Sequence, residues 1–319
     1  MTNTETWPAL AVDSWTDTRK TLHLWLQIVG KMEMVSTPLV NHWWNVTFQV
    51  SARGFRTGMM FFEGHPFDAE FDFIDHKFYL RRADGHEVAI ALEAKSVAAF
   101  YGEVQDALRT LRLRCDIVPS PNEVDPAVPF AEDTEPRPYN ASAAQTFWRQ
   151  LVAVQRTFMI WRAGFAGKDS PTQLFWGSLD LSCVRFSGRG APKPPPALHV
   201  PNLPSWVMDE AESRENFAAG FWAGGSAEGS FYTYAYPEPD GFRSGKVSVG
   251  KFDDTLGEWI LPYDEVRNSD DPDAMVQAFL NETYGLAADL GNWDRTLLDV
   301  DPHRLDAQIY HGADRSPLY

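Results

Sequence analysis

Hydrophobic residues along this chain follow two rhythms, one of helical period and one of strand period. From Thr21 the order is TLHLWLQIVGKMEMVSTPLVNHWW. Leu22, Trp25, Leu26, Val29 and Met32 recur at the spacing of one helix face, and Leu24, Ile28 and Val35 add a second apolar stripe. Lys20, His23, Gln27 and Lys31 form a polar line down that cylinder. Such a helix belongs inside a domain, and its polar line must meet water, a partner or a ligand. Thr16 or Asp17 is placed to cap its start. Gly30-Lys31 reads as its stop, and Pro38 ends any continuation by removing a donor. Residues 43–51 then read as an aromatic strand.

Strand rhythm takes over at 67–74. Phe67, Ala69, Phe71 and Phe73 share one face, and Asp68, Glu70 and Asp72 the other. A turn at Asp75-His76 leads to a strand at 77–82, and Asp84-Gly85 is a hairpin signal into 87–92. An amphipathic helix at 95–112 and a short strand at 115–118 follow. Residues 119–140 are rich in proline and acid without hydrophobic period, the pattern of an extended linker. A helix over 142–165 opens the second half, with a strand at 173–186 and a Pro-rich excursion at 191–204 behind it. Within 217–236, Tyr232, Tyr234 and Tyr236 alternate as a packed face. Strands near 246–251 and 258–262 precede a helix from Pro272 to about Leu290.

The second half echoes the first. Thr21 and Trp25 match Thr157 and Trp161, Gly30-Lys31 matches Gly167-Lys168, and Pro38 with Trp43 matches Pro171 with Trp176. Repetition of rare residues in one order argues for internal duplication. The expected fold is α+β: two tandem helix–antiparallel meander–helix units forming a pseudo-duplicated platform, with helices packed on the sheets. The units span 1–118 and 141–294, joined by the linker at 119–140 and followed by a polar tail at 295–319.

The 44 acidic against 28 basic residues give a net charge of −16. That balance excludes nucleic acid as an expected partner, because binding there is led by phosphate neutralisation, and it disfavours anionic membranes. No apolar run reaches the length of a spanning helix and the first residues lack a leader pattern, so a cytoplasmic protein is expected. Cys115 and Cys183 stand alone, without metal-ligand spacing.

The phrases WPAL, TLHLW-x3-VGK, NHWW, FDFIDH, FWGS-x-DL, GFW-x-GG, YAYPEP and LPYDEVR, spread over nearly the whole chain, resemble a bacterial family known as domain of unknown function 5996. The resemblance implies a soluble bacterial protein and brings no activity with it. Such sequences usually read Ser-His-Glu where this one has Ser213-Arg214-Glu215.

Three histidines mark the first half alone. In the proposed repeat His23 matches Met159 and His42 matches Phe175, so the scaffold tolerates apolar residues at both places. His23, His42 and His76 come from separate elements, as ligands of zinc, iron or copper do. An imidazole near its titration point is also the usual general base. Asp75, Asp72 or Glu215 can complete a set with a carboxylate. The leading expectation is a small-molecule enzyme with His23, His42, His76 and Glu215 as catalytic groups, with or without a divalent transition metal on the three histidines. The alternatives are a non-catalytic binder of an aromatic or apolar metabolite and an interaction protein using its acidic surface. Against these stand plain structural roles: His23 bonded to a carbonyl, His42 capping a turn, and Asp75-His76 serving as turn chemistry. Lys31 and Lys168 read as cations at helix ends. Gly220 to Gly225 lack the phosphate-loop pattern and read as a tight bend.

Overall fold

The computed structural model describes residues 6–195 and 200–305. Part of the Pro-rich excursion and the tail beyond 305 therefore lie outside the described residues. The first long helix, α1 (Thr16–Ser36), is buried on nearly every face, as its double stripe requires. It runs straight through Gly30-Lys31, the expected stop, and ends before Pro38. The glycine has a tertiary cause instead, because the indole of Trp176 lies where a β-carbon on Gly30 would project.

The first sheet comprises β1 (Gln49–Val50), β2 (Gly54–Arg56), β3 (Met60–Phe62), β4 (His65–Asp72), β5 (Lys77–Arg82) and β6 (Glu87–Ala91). All pairs are antiparallel in the order β1-β2-β4-β5-β6, with β3 also on β4. Helix α2 (Val97–Thr110) closes the unit. The second unit opens with α3 (Ala141–Ala163). Its strands are β7 (Gln173–Phe175), β8 (Asp180–Gly190), β9 (Arg214–Trp222), β10 (Ser230–Tyr236), β11 (Lys251–Asp253) and β12 (Glu258–Pro262). Their order is β7-β8-β9-β10-β12-β11. A short helix α4 (Ser205–Ala211) stands between β8 and β9, and α5 (Tyr263–Arg267), α6 (Pro272–Leu290) and α7 (Arg295–Leu298) follow. The α+β class is as expected.

Three expected strands differ: that at 115–118 is absent, that at 43–51 is cut short to Gln49–Val50, and that near 246–251 is displaced to Lys251–Asp253. Residues 115–118 are irregular, and Asn41–Val46 forms a tight 3-10 turn with His42 and Trp43 at φ 59° and 63°. Successive side-chain-bearing residues in that left-handed region are strained by about 1–3 kcal/mol each and persist only where tertiary contacts hold them.

The two sheets meet edge to edge. Phe48 and Leu174 exchange both backbone bonds, at 3.0 and 2.8 Å, so β1 and β7 form a seam. Aromatic rings fill the space under the helices: Trp25 stacks on Phe100 at 4.8 Å, Phe147 meets Phe55 at 6.0 Å, and Trp161 meets Phe217 at 6.0 Å. One continuous core spans both units. Each large side chain taken from water contributes about 1.5–3 kcal/mol, which makes this the main stabilising term. The 119–140 segment carries no helix or strand yet is closely packed. Phe130 is fully buried, and Tyr139 stacks on Trp25 at 5.7 Å.

Both halves share the helix–meander–helix order, but the residue-by-residue repeat is not what the chain builds. Gly30-Lys31 is inside α1, whereas Gly167-Lys168 lies beyond the end of α3. Trp43 belongs to the turn before β1, whereas Trp176 follows β7. The strand orders differ as well, with β3 off the main path of the first sheet and β12 between β10 and β11 in the second, so the structure does not bear out a duplication. The matching of His23 to Met159 and His42 to Phe175 loses its force with the register.

Candidate functional site

The three histidines lie in three unconnected settings. His23, on the polar line of α1, places Nε2 2.8 Å from the Gly177 carbonyl, to which it donates. Gln27 and Lys31 on that line are satisfied by the chain itself, and Lys20 is exposed. Gln27 exchanges bonds with the backbone of Asn122 at 2.8 Å each way, and Lys31 reaches the Asn122 side chain. Burial lowers the His23 pKa and pushes Lys31 down to about 8.

His42 is buried beneath α4. Its Nδ1 donates to the Ala211 carbonyl at 2.9 Å, which leaves Nε2 to accept from the Lys168 ammonium at 2.7 Å. Its backbone N–H bonds Glu210 Oε1 at 3.1 Å, and Trp43 Nε1 donates to Val207 O at 2.9 Å. Burial lowers the pKa of both His42 and Lys168, and the neighbouring Arg214 charge lowers Lys168 further. Arg214 thus stands close to the Lys168–His42 pair, at the position where the resemblance expects histidine.

His76 sits at φ 50° in the β4–β5 turn, with Nδ1 3.1 Å from the Tyr139 hydroxyl. Glu215 is engaged elsewhere. Burial would raise its pKa, but bonds from Arg189, Ser187 and Trp293 hold it below the ordinary carboxylate value. Among the described residues no three of His, Cys, Asp and Glu come together to hold a metal ion. The expected three-histidine metal set is therefore not assembled. The physical reason is that α1 keeps His23 against the 176–177 backbone, while the tight turn at 41–46 sends His42 toward α4.

A different constellation lies at the seam. A cavity of about 280 Å³ opens between the end of α1, the 3-10 turn, and the paired edges β1 and β7. Pro38, Val40, Trp44, Met59 and Pro171 give it an apolar wall, and Glu33, Thr37, Asn45, Thr47 and Gln173 a polar one. Glu33 is completely buried (0% exposed). One carboxyl oxygen accepts the Gly58 N–H at 2.8 Å, and the other has no partner among the described residues. Burial raises the Glu33 pKa well above the ordinary value, opposed only by the Gly58 bond. Gln173 is likewise half used. Its Oε1 accepts from Thr47 Oγ1 at 2.9 Å, and its Nε2 is buried without a partner among the described residues.

Glu33 was missed in the sequence although a signal was present. It continues the spacing Leu22, Leu26, Val29 down an otherwise apolar stripe, so a carboxylate there had to be buried. Nothing local marks Gln173, whose position depends on β7 meeting β1.

The molecule is thus an α+β protein of two meander units joined at a sheet seam, with a half-satisfied polar pocket on that seam. The chain belongs to a family of unknown function (DUF5996), whose model matches residues 7–300. Comparison with curated proteins and with solved structures gave no match. No helix among the described residues is long and apolar enough to cross a membrane.

Proposed function

We propose that the protein binds a small organic molecule in the seam pocket, with Glu33 and Gln173 as its polar contacts. The observation that carries the reading is the Glu33 carboxyl, wholly buried, bonded through one oxygen, and lining a cavity beside a second half-used side chain. A buried polar atom left without a partner costs on the order of 1–3 kcal/mol. A ligand that completes the bonds recovers that cost on binding. Small-molecule sites favour junctions between units, with an apolar wall and a few placed polar groups. A carboxyl whose pKa is raised by burial is also suited to general acid work, so Glu33 takes the chemical role expected of the histidines.

The test is a thermal-shift screen of a small-molecule library against the wild type and Met59→Trp. Met59 is 51% exposed at the rim, so tryptophan there plugs the mouth without entering the core. Compounds that raise the wild-type Tm are expected to lose their effect in the plugged variant. Hits that act equally on both proteins locate the ligand elsewhere and sink the proposal.

A further inference from the structure

Resting on that reading, we infer that the ligand of the seam pocket is an uncharged compound whose carbonyl oxygen accepts hydrogen bonds from the Glu33 carboxyl and the Gln173 amide. The inference follows from accounting for the polar side-chain atoms of the lining. Thr37 Oγ1 donates to the Glu33 carbonyl at 2.6 Å and accepts from Asn45 Nδ2 at 3.0 Å. Asn45 Oδ1 accepts from the Val40 N–H at 3.0 Å. Thr47 Oγ1 donates to Gln173 Oε1 at 2.9 Å, and Gln49 Oε1 accepts from Arg56 at 3.2 Å. Glu33 Oε1 takes the Gly58 N–H. Two buried atoms of the lining have no partner among the described residues, Glu33 Oε2 and Gln173 Nε2.

The amide nitrogen is a donor by its chemistry. No lysine, arginine or histidine lines the pocket, and burial disfavours a charged Glu33, so the carboxyl keeps its proton and Oε2–H becomes a second donor. Both residues line the cavity but their free atoms are sealed from solvent, so a ligand reaches them as the side chains turn toward it, and two donors there select an acceptor oxygen. An anionic ligand would enter without a cation to meet it, in a chain of net charge −16. An ammonium ligand would require Glu33 to ionise and would leave the Gln173 donor unanswered. The apolar wall takes the rest of the ligand, and about 280 Å³ limits it to a small body such as a substituted ring.

The experiment is calorimetric titration of the full chain with three probes sharing a benzyl body: benzyl methyl ketone, benzylamine and phenylacetate. The ketone is expected to bind most tightly. Glu33→Gln should keep that affinity within a few fold, since its amide oxygen can take the Gly58 N–H while its nitrogen donates. Glu33→Leu should weaken it roughly tenfold. Benzylamine binding most tightly, with loss in Glu33→Gln, overturns the assignment in favour of an ionised Glu33. Ketone affinity unchanged in Glu33→Leu overturns it as well. Met59→Trp separates the two levels of the proposal. Probes that still bind the plugged variant count against the pocket itself. A library compound sensitive to the plug, with no ketone binding, leaves the pocket standing and removes only the carbonyl assignment.

Discussion

The indole of Trp176 fills the space beside Gly30 in which any other residue would place its β-carbon. The indole cannot withdraw freely, because its Nε1 donates to the Val46 carbonyl at 2.7 Å and its ring packs under Lys31. On an exposed helix Gly→Ala gains about 1 kcal/mol through backbone entropy. Here the added methyl meets a pinned ring, and overpacking costs about 1–3 kcal/mol. Gly30→Ala is expected to lower the Tm, as measured by calorimetry. An increase would show that Trp176 has room to move.

That contact also shows where sequence reading stops. The helices were legible because their stripes are local, and α6 starts and ends at the residues the pattern named. β5 and β12 were equally plain, bounded by turn residues. Gly30 was read as a stop because a glycine near a helix end usually is one, and its real cause lies on another element 146 positions away in the chain. The turn at His42-Trp43 failed for the same reason. Aromatic and β-branched residues at 43–51 favour a strand, and only contacts with α4 overrule them. Convergence of the histidines was a statement about helix–strand geometry that no spacing could decide. Glu33, by contrast, broke an apolar stripe in plain view.

A second prediction concerns pH. Burial and the nearby Asp180 carboxyl raise the Glu123 pKa to about 7, and Glu258 is raised to about 7 by the same two causes and by Asp253. Below about pH 4.5 both folded and unfolded chains hold these protons, so no stability difference arises. As pH rises from there toward 7 the unfolded chain releases protons that the folded one retains. Stability is lost over that window and levels off once the folded carboxyls ionise. Glu123→Gln removes one such group. Its Tm should match the wild type near pH 4.5 and exceed it by roughly 2–4 °C at pH 7.5. A Tm difference that does not grow with pH would show that Glu123 is not held protonated.

The last prediction concerns the attachment of α4. None of its residues is buried, so packing alone does not hold it. Its ties run to the strained turn: Glu210 to the His42 N–H, the Ala211 carbonyl to His42 Nδ1, the Val207 carbonyl to Trp43 Nε1, and Trp206 against the Trp43 ring at 5.4 Å. Lys168 completes the arrangement by donating to His42 Nε2 while lying over the rings of Trp44 and Phe186. His42→Phe preserves a ring of similar reach but removes both imidazole bonds and leaves the left-handed backbone at His42 with less to hold it. Helix stability in so short an element comes from its docking rather than from propensity, so the loss is local. Hydrogen exchange across 205–211 should accelerate by roughly tenfold, the equivalent of one lost hydrogen bond, while the core helices α1 and α3 keep their protection. Unchanged exchange in 205–211 would mean that the Trp43 contacts and the Glu210 bond to the backbone N–H at position 42 suffice to secure the helix. A collapse of protection in α1 would mean instead that His42 supports the core.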